Sequence, residues 1–181
     1  MVEPLRKSGK IKREGPVVLL IMDGVGFGKY KEGDAVASAV TQTLDRLYRD
    51  NPWTKLKAHG TAVGLPSDDD MGNSEVGHNA MGCGRVFSQG AKLVQTSIET
   101  KAMYEGKTWK KLIRNVKNHS STLHFIGLLS DGNVHSHIDN LKAMVAQAKV
   151  EGVSRVRVHA LLDGRDVGER SALEYFQPFE A

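Results

Sequence analysis

In the first half of the chain, residues 16–22 form a continuous apolar run that is rich in β-branched side chains. Such a run predicts a strand that is buried on both faces. It stops abruptly at Asp23 and Gly24, where a polar, glycine-rich turn begins. Apolar residues then recur at helical spacing over residues 36–50, which predicts a helix.

The second half has a more regular alternation of patterns. Two amphipathic helices are predicted at residues 91–103 and 108–118. Strands are predicted at residues 122–129 and 155–162, with a helix between them and another helix starting at Ser171. This order predicts parallel strands joined by a right-handed helical crossover, and therefore an α/β fold.

Each of these two strands is followed by a polar loop, at residues 131–137 and 163–170. The carboxyl ends of parallel strands meet at one edge of a sheet, which is where ligands bind in such folds. We therefore expect the two loops to lie side by side.

Composition narrows the class of protein. Of the 181 residues, 40% are hydrophobic and 25% are charged, which is typical of a folded globular chain. No apolar run approaches the roughly 20 residues that a membrane-spanning helix needs. The single cysteine, Cys83, excludes an internal disulfide and fits a reducing compartment. We expect it to be a small buried filler rather than a reactive thiol.

The net charge of +4 allows a nucleic-acid partner or an anionic small-molecule substrate. Basic residues are not interleaved with aromatic residues in the way that supports base stacking. We therefore favour an anionic small molecule.

Two residues of the first half are candidates for chemistry. Asp23 follows a predicted buried strand and precedes a glycine, so its carboxylate has room to face a metal, although an ordinary turn has the same pattern. Ser74 lies between Gly72 and Gly77, where a helix can begin. Its hydroxyl could accept a phosphoryl group if a base or a metal assisted, or it could simply cap the helix.

The two polar loops supply further candidates. His135 and His137 would share one face of an extended segment, as a metal pair does, but loop histidines also bind anions or act as caps. Arg165 offers a planar fork for carboxylate or phosphate, and the neighbouring Asp166 can hold that arginine or a substrate hydroxyl. A local salt bridge between Arg165 and Asp166 is the alternative.

Four segments in order carry a resemblance to a known family: LLIMDGVG, GNSEVGHNAMGCGRV, SDGNVHSH and LLDGRDV. Together they resemble the cofactor-independent (2,3-bisphosphoglycerate-independent) phosphoglycerate mutases, members of the alkaline phosphatase superfamily. The likeness runs from Pro16 to the end. The Arg-His-Gly phosphohistidine context of the cofactor-dependent mutases does not occur in the sequence.

The resemblance implies a role for each matching residue. Asp23 matches a ligand of a divalent ion, and Ser74 matches the serine that is phosphorylated during turnover and contacts that ion. His135, Arg165 and Asp166 match substrate-binding residues, which leaves His137 a structural role. The implied cofactors are divalent ions (Mn²⁺, alternatively Mg²⁺ or Co²⁺), two in a complete enzyme, without 2,3-bisphosphoglycerate.

The implied reaction is the interconversion of 3-phosphoglycerate and 2-phosphoglycerate through a phosphoserine. The implied fold is a three-layer α/β sandwich with mostly parallel sheets. Residues 1–15 would be a flexible arm, residues 16–88 the first segment of a phosphatase-like metal domain, and residues 89–181 the first part of a phosphotransferase domain.

The resemblance also sets expectations for the whole molecule. We expect a cytoplasmic enzyme, monomeric when complete, with no nucleic-acid or membrane partner. Later metal ligands of the family do not occur here, so we expect the 181 residues alone to be a fragment without activity. A non-catalytic interaction fragment and another phosphomutase of the same superfamily are the alternatives.

Overall fold

In the computed structural model, residue 9 and residues 14–181 are described. The chain forms two compact units, residues 1–56 and residues 57–181. The flexible arm expected at residues 1–15 lies almost wholly outside the described residues. The domain boundary expected between residues 88 and 89 stays a prediction.

Within its described residues, the first unit has a 3-10 helix (Lys31–Gly33) and two short α-helices, α1 (Ala35–Ser38) and α2 (Gln42–Asp50). The sequence predicted one helix here. Ala39 instead takes an extended conformation that ends α1, so the helical pattern is interrupted. Beside α2, the rings of Phe27, Tyr48 and Trp53 form an aromatic cluster with centroids 5.5–6.2 Å apart.

The prediction of a buried strand at residues 16–22 is wrong for this structure. These residues form no strand, and the apolar side chains from Val17 to Met22 are 43–84% exposed. A strand is stabilised by its ladder of hydrogen bonds and by burial of its faces. Within residues 14–181 no other strand pairs with this segment, so the apolar pattern has nothing to pack against.

The second unit begins with a small apolar cluster of Val63, Leu65 and Val76. Val76 belongs to α3 (Ser74–Cys83). Gly64 has a φ of 86°, and a Cβ there would come within 1.7 Å of the Phe87 carbonyl oxygen. Glycine is therefore required for this close approach, which brings the chain before α3 against the chain after it.

The main core of the second unit lies between its helices and its sheet. Three helices lie between α3 and the first strand: α4 (Gly90–Glu99), α5 (Ala102–Glu105) and α6 (Lys107–Asn118). Helix α7 (Ile138–Val150) follows that strand. They bury one cluster with the sheet, consisting of Ile98, Tyr104, Trp109, Ile113, Val116, Leu123, Ala148 and Val153. The helices predicted in this half are confirmed, although the first is divided into α4 and α5.

Strands β1 (Leu123–Leu128) and β2 (Val156–Leu161) pair in parallel, with Leu123 opposite Val156. Helix α8 (Ala172–Glu180) follows β2. The parallel α/β unit predicted from the sequence is thus confirmed, while the three-layer sandwich stays a prediction. Cys83, expected to be buried, is half-buried at the last position of α3.

No helix within the described residues is long and apolar enough to cross a membrane.

Candidate functional site

The loops after β1 and β2 meet at the carboxyl edge of the sheet, as predicted. The Ser130 hydroxyl donates to the Asp163 carboxylate across the two loops, with a distance of 2.6 Å. His135 Nε2 lies 3.8 Å from Asp166 Oδ2, and Arg165 Nη1 lies 3.9 Å from Asp166 Oδ1. Parallel pairing of the strands therefore places His135, Arg165 and Asp166 in one small region.

These three side chains differ in exposure. The Arg165 side chain is 82% exposed and that of His135 is 61% exposed, whereas that of Asp166 is only 7% exposed. The buried carboxylate therefore lies behind two accessible nitrogen-rich groups. An arginine that projects into solvent beside a fixed carboxylate can offer its fork to an anionic ligand.

Asp163 organises the backbone of the second loop. Its carboxylate accepts the Ser130 hydroxyl, and the N–H groups of Arg165 and Asp166 at 2.9 and 3.1 Å. These hydrogen bonds, that from Ser130 being the largest cause, lower the pKa of Asp163 to about 2. The carboxylate is thus ionised at neutral pH, and it structures the loop.

The first loop is tied to α8 through Asp131. The Tyr175 hydroxyl donates to Asp131 Oδ1 at 2.6 Å, and this bond raises the pKa of Tyr175 to about 12. The Asp131 carboxylate therefore links the first loop to α8.

His137 begins α7. Its Nδ1 accepts the N–H of Asp139 at 3.2 Å, which makes it the N-cap of the helix. This contact agrees with the structural role that the resemblance implied for His137.

A cavity of about 450 Å³ opens beside the first loop. It is lined by the loop residues His135, Ser136 and His137, by Gly90 at the start of α4, and by Asn140 and Met144 of α7. A cavity lined by both polar and apolar residues beside a strand-end loop is a typical position for a small ligand.

Ser74 is the first residue of α3 and is exposed. The alternative that Ser74 caps the helix is wrong, because the Asn73 side chain is the cap and accepts the N–H of Val76 at 3.1 Å. Asn73 has the extended backbone of a cap residue, whereas Ser74 already belongs to the helix.

The Ser74 hydroxyl lies 3.1 Å from Nδ1 of His78, one helical turn later. The same nitrogen lies 2.7 Å from the Ser74 carbonyl oxygen, which can only accept a hydrogen bond. Nδ1 therefore carries the proton, and the serine oxygen accepts rather than donates. In this arrangement His78 is not a base for Ser74.

The loop before α3 is linked to the first strand-end loop. The Asn133 side-chain amide donates to Asp70, and the Ser67 hydroxyl donates to the same carboxylate at 2.9 Å. Partial burial is the largest single effect on the pKa of Asp70 and acts to raise it. The hydrogen bonds from Asn133 and Ser67 act in the opposite direction, and the net result is a lowered pKa. The Asn133–Asp70 hydrogen bond therefore joins the segment before α3 to the first strand-end loop.

Asp23 lies in the first unit. Its Oδ1 accepts the N–H of Gly24 at 3.0 Å, and Gly24 has a φ of 77°. The described part of the chain contains no group of three or more His, Cys, Asp or Glu side chains that could hold a metal ion. A divalent ion takes about four to eight ligands, so the described residues do not supply a complete metal site.

Sequence reasoning missed the residues that support the predicted ones: Ser130, Asn133, Tyr175 and His78. Only His78 had a sequence signal, since a residue four positions after Ser74 on a helix lies on the same face. The other three act through hydrogen bonds between distant segments.

The chain is similar to known proteins over most of its length. A family model described as "BPG-independent PGAM N-terminus (iPGM_N)" matches residues 94–181. A probable 2,3-bisphosphoglycerate-independent phosphoglycerate mutase of Leptospira interrogans is 54% identical over 170 residues, which are 93% of this chain and 31% of that protein. The corresponding mutase of Clostridium novyi is 47% identical over 91% of this chain and 32% of its own length.

A solved structure of phosphoglycerate mutase from Leishmania mexicana, obtained at low cobalt concentration, is also similar. It has a TM-score of 0.80 and 48% sequence identity over 88% of this chain and 29% of that one. The chain spans about a third of the length of the curated relatives that it matches. Over most of its length it matches the N-terminal part of the 2,3-bisphosphoglycerate-independent phosphoglycerate mutases.

Proposed function

We propose that this chain, as part of a longer protein, takes part in the interconversion of 3-phosphoglycerate and 2-phosphoglycerate. Support comes from the relatives, which are named as phosphoglycerate mutases, and from the strand-end site. The observation that carries the proposal is the exposed Arg165 guanidinium beside the buried Asp166 carboxylate and the His135 ring. This set suits a small anion that also bears hydroxyl groups.

Each strand-end residue has a role that follows from its chemistry. The Arg165 fork binds a carboxylate or phosphate of the substrate through paired hydrogen bonds. His135 donates a hydrogen bond to the same anion, and Asp166 accepts one from a substrate hydroxyl.

Ser74 is proposed as the phosphoryl acceptor. It is exposed at the first position of α3, where the helix N-terminus favours negative charge. Since His78 presents a proton to its oxygen, another group must take up the serine proton. Transfer would form a bond between Ser74 Oγ and phosphorus, break the ester bond between phosphorus and the substrate oxygen, and return the proton to that oxygen, which leaves glycerate bound. Return of the phosphoryl group to the other hydroxyl would restore the Ser74 hydroxyl and complete the isomerisation.

Asp23 is proposed as one ligand of a divalent ion, of the kind represented by Mn²⁺, Mg²⁺ or Co²⁺. The described residues do not complete such a site, so the remaining ligands must come from other parts of the protein. On this proposal residues 16–88 contribute to a phosphatase-like metal domain and residues 89–181 to a substrate domain. We also propose that the longer protein is a cytoplasmic monomer.

The proposal is tested with a chimera in which this chain replaces the matching segment of the Leptospira protein. We expect the chimera to convert 3-phosphoglycerate to 2-phosphoglycerate and to carry phosphoserine when it is trapped during turnover. Ser74→Ala should abolish both, whereas Ser154→Ala, at an exposed serine before β2, should change neither. Phosphoserine in the Ser74→Ala chimera would contradict the role of Ser74, and an inactive but folded chimera would contradict the proposed function.

A further inference from the structure

We propose that Ser130 and Asp163 form a clip that joins the two strand-end loops and sets the direction in which Arg165 and Asp166 project. Neither clip residue contacts substrate in this proposal, so both are positioning residues. The effect on substrate binding rests on the proposed function, but the effect on the loops does not.

Ser130 is fixed on the side of the first loop. It is only 1% exposed, and its hydroxyl accepts the N–H of Gly132 at 3.0 Å while it donates to Asp163 at 2.6 Å. Its carbonyl oxygen accepts the N–H of Ile138, the first residue of α7, at 2.8 Å. A buried hydroxyl with both functions satisfied has one preferred orientation, because any other would leave a buried polar group unpaired.

Asp163 is the other half of the clip. One carboxylate oxygen accepts the Ser130 hydroxyl, and the other accepts the N–H groups of Arg165 and Asp166. The two residues proposed to meet the substrate therefore share one backbone anchor. Hydrogen bonds to a carboxylate are stronger than those between neutral groups, so the anchor is well suited to hold an exposed loop.

A second contact shows how closely the clip draws the loops together. A Cβ at Gly132 would come within 2.7 Å of the Asp166 Cβ and 3.2 Å of its carbonyl oxygen. The first loop thus approaches the Asp166 backbone without an intervening side chain. A change in the distance between Ser130 and Asp163 would therefore move Asp166 relative to His135.

The clip is tested by measuring amide hydrogen exchange in the 181-residue chain. Ser130→Ala and Asp163→Ala should each accelerate exchange at the Arg165 and Asp166 amides by about tenfold or more, the effect of losing one hydrogen bond to a charged group. Asp163→Ala should leave the Gly132 amide protected, because that amide is held by Ser130. The matched control is Ser171→Ala, which removes a buried serine hydroxyl that donates to the Gly168 carbonyl at 2.7 Å.

If Ser130 and Asp163 only stabilised the fold as a whole, their loss would accelerate exchange at the core amide of Ile113 to the same extent. The Ile113 amide is therefore the reference. Equal acceleration at Ile113, or unchanged exchange at Arg165 and Asp166, would overturn the clip. If Ser130→Ala fails to fold, Asp163→Ala decides by the same criteria. The affinity of the wild-type chain for 3-phosphoglycerate is measured in parallel. If the exchange data support the clip but the chain does not bind 3-phosphoglycerate, only the proposed substrate binding is contradicted, and the clip is not.

Discussion

At the scale of single residues, the strand-end site combines an exposed cation, the Arg165 guanidinium, with a buried carboxylate, that of Asp166. The Arg165 side chain is 82% exposed, and its Nη1 lies 3.9 Å from Asp166 Oδ1, which is long for an ion pair. The local salt bridge with Asp166 is therefore weak, because water solvates the exposed guanidinium. The guanidinium remains available for an anion.

Arg165→Lys should raise the Michaelis constant for 3-phosphoglycerate in the chimera by about ten- to hundredfold, because an ammonium group cannot form the paired hydrogen bonds of the fork. Steady-state kinetics in both reaction directions measures the effect. The control is Arg157→Lys, at an exposed arginine on β2 whose guanidinium bonds the Val156 carbonyl. An unchanged Michaelis constant for Arg165→Lys would remove Arg165 from the substrate site.

Asp163 predicts a specific dependence of stability on pH. Its pKa in the folded chain is about 2, against 3.8 for an ordinary aspartate, so folding favours the ionised form. The resulting stabilisation is fully present above pH 3.8 and is lost as the pH falls towards 2. The free energy of unfolding of the wild type should therefore fall more steeply over this range than that of Asp163→Asn.

Urea denaturation of both proteins at a series of pH values measures this difference. Asp34, Asp68 and Asp70 also have lowered pKa values, so the wild type alone does not isolate Asp163. The difference between the two proteins does. Parallel curves for wild type and Asp163→Asn would show that the hydrogen bonds to Asp163 do not stabilise the fold.

At the scale of elements, sequence patterns were informative where each element packs against neighbours within its own unit. The apolar stripe of α6 faces the core through Trp109, Ile113 and Val116, so its period of about 3.6 residues was visible in the sequence. Residues 16–22 had an equally strong apolar pattern and form no strand. Pattern predicts which side chains should be buried, but formation of a strand also requires a partner to complete the ladder.

Helix α7 shows how tightly the main core is packed. Ala148 is 0% exposed and belongs to the cluster that includes Trp109 and Leu123. Ala148→Leu should lower the free energy of unfolding by about 1–3 kcal/mol, because the added methylenes have no space. Ala146→Leu, at an exposed position on the same helix, should change it by about 0.5 kcal/mol or less.

Urea denaturation of the two variants, compared with the wild type, measures these values. A loss as large for Ala146→Leu as for Ala148→Leu would show that leucine disturbs the helix itself. In that case the packing described around Ala148 would not be the cause.

At the scale of the whole molecule, the sequence identified the residues proposed to bind the ligand but not those that hold them in place. Arg165, Asp166 and His135 were predictable because each lies just after a predicted strand. Ser130 and Asp163 come from loops 33 residues apart, and their hydrogen bond exists only because the strands pair in parallel. Tyr175 reaches Asp131 from a helix 44 residues later, a distance at which single-sequence patterns carry no information.

The proposed metal dependence belongs to the same scale, because the described residues do not complete an ion site and the proposal takes the other ligands from elsewhere in the longer protein. Chelation of divalent ions should therefore abolish the mutase activity of the chimera, and Mn²⁺ should restore it, whereas the 181-residue chain alone should bind Mn²⁺ only weakly. Isothermal titration calorimetry of the chain, with Asp23→Ala as the matched variant, measures that binding. If the chimera stayed fully active after chelation, then neither Asp23 nor any metal would be needed to transfer phosphate to Ser74. If the isolated chain bound Mn²⁺ tightly, its own residues would form a site that the described part of the structure does not contain.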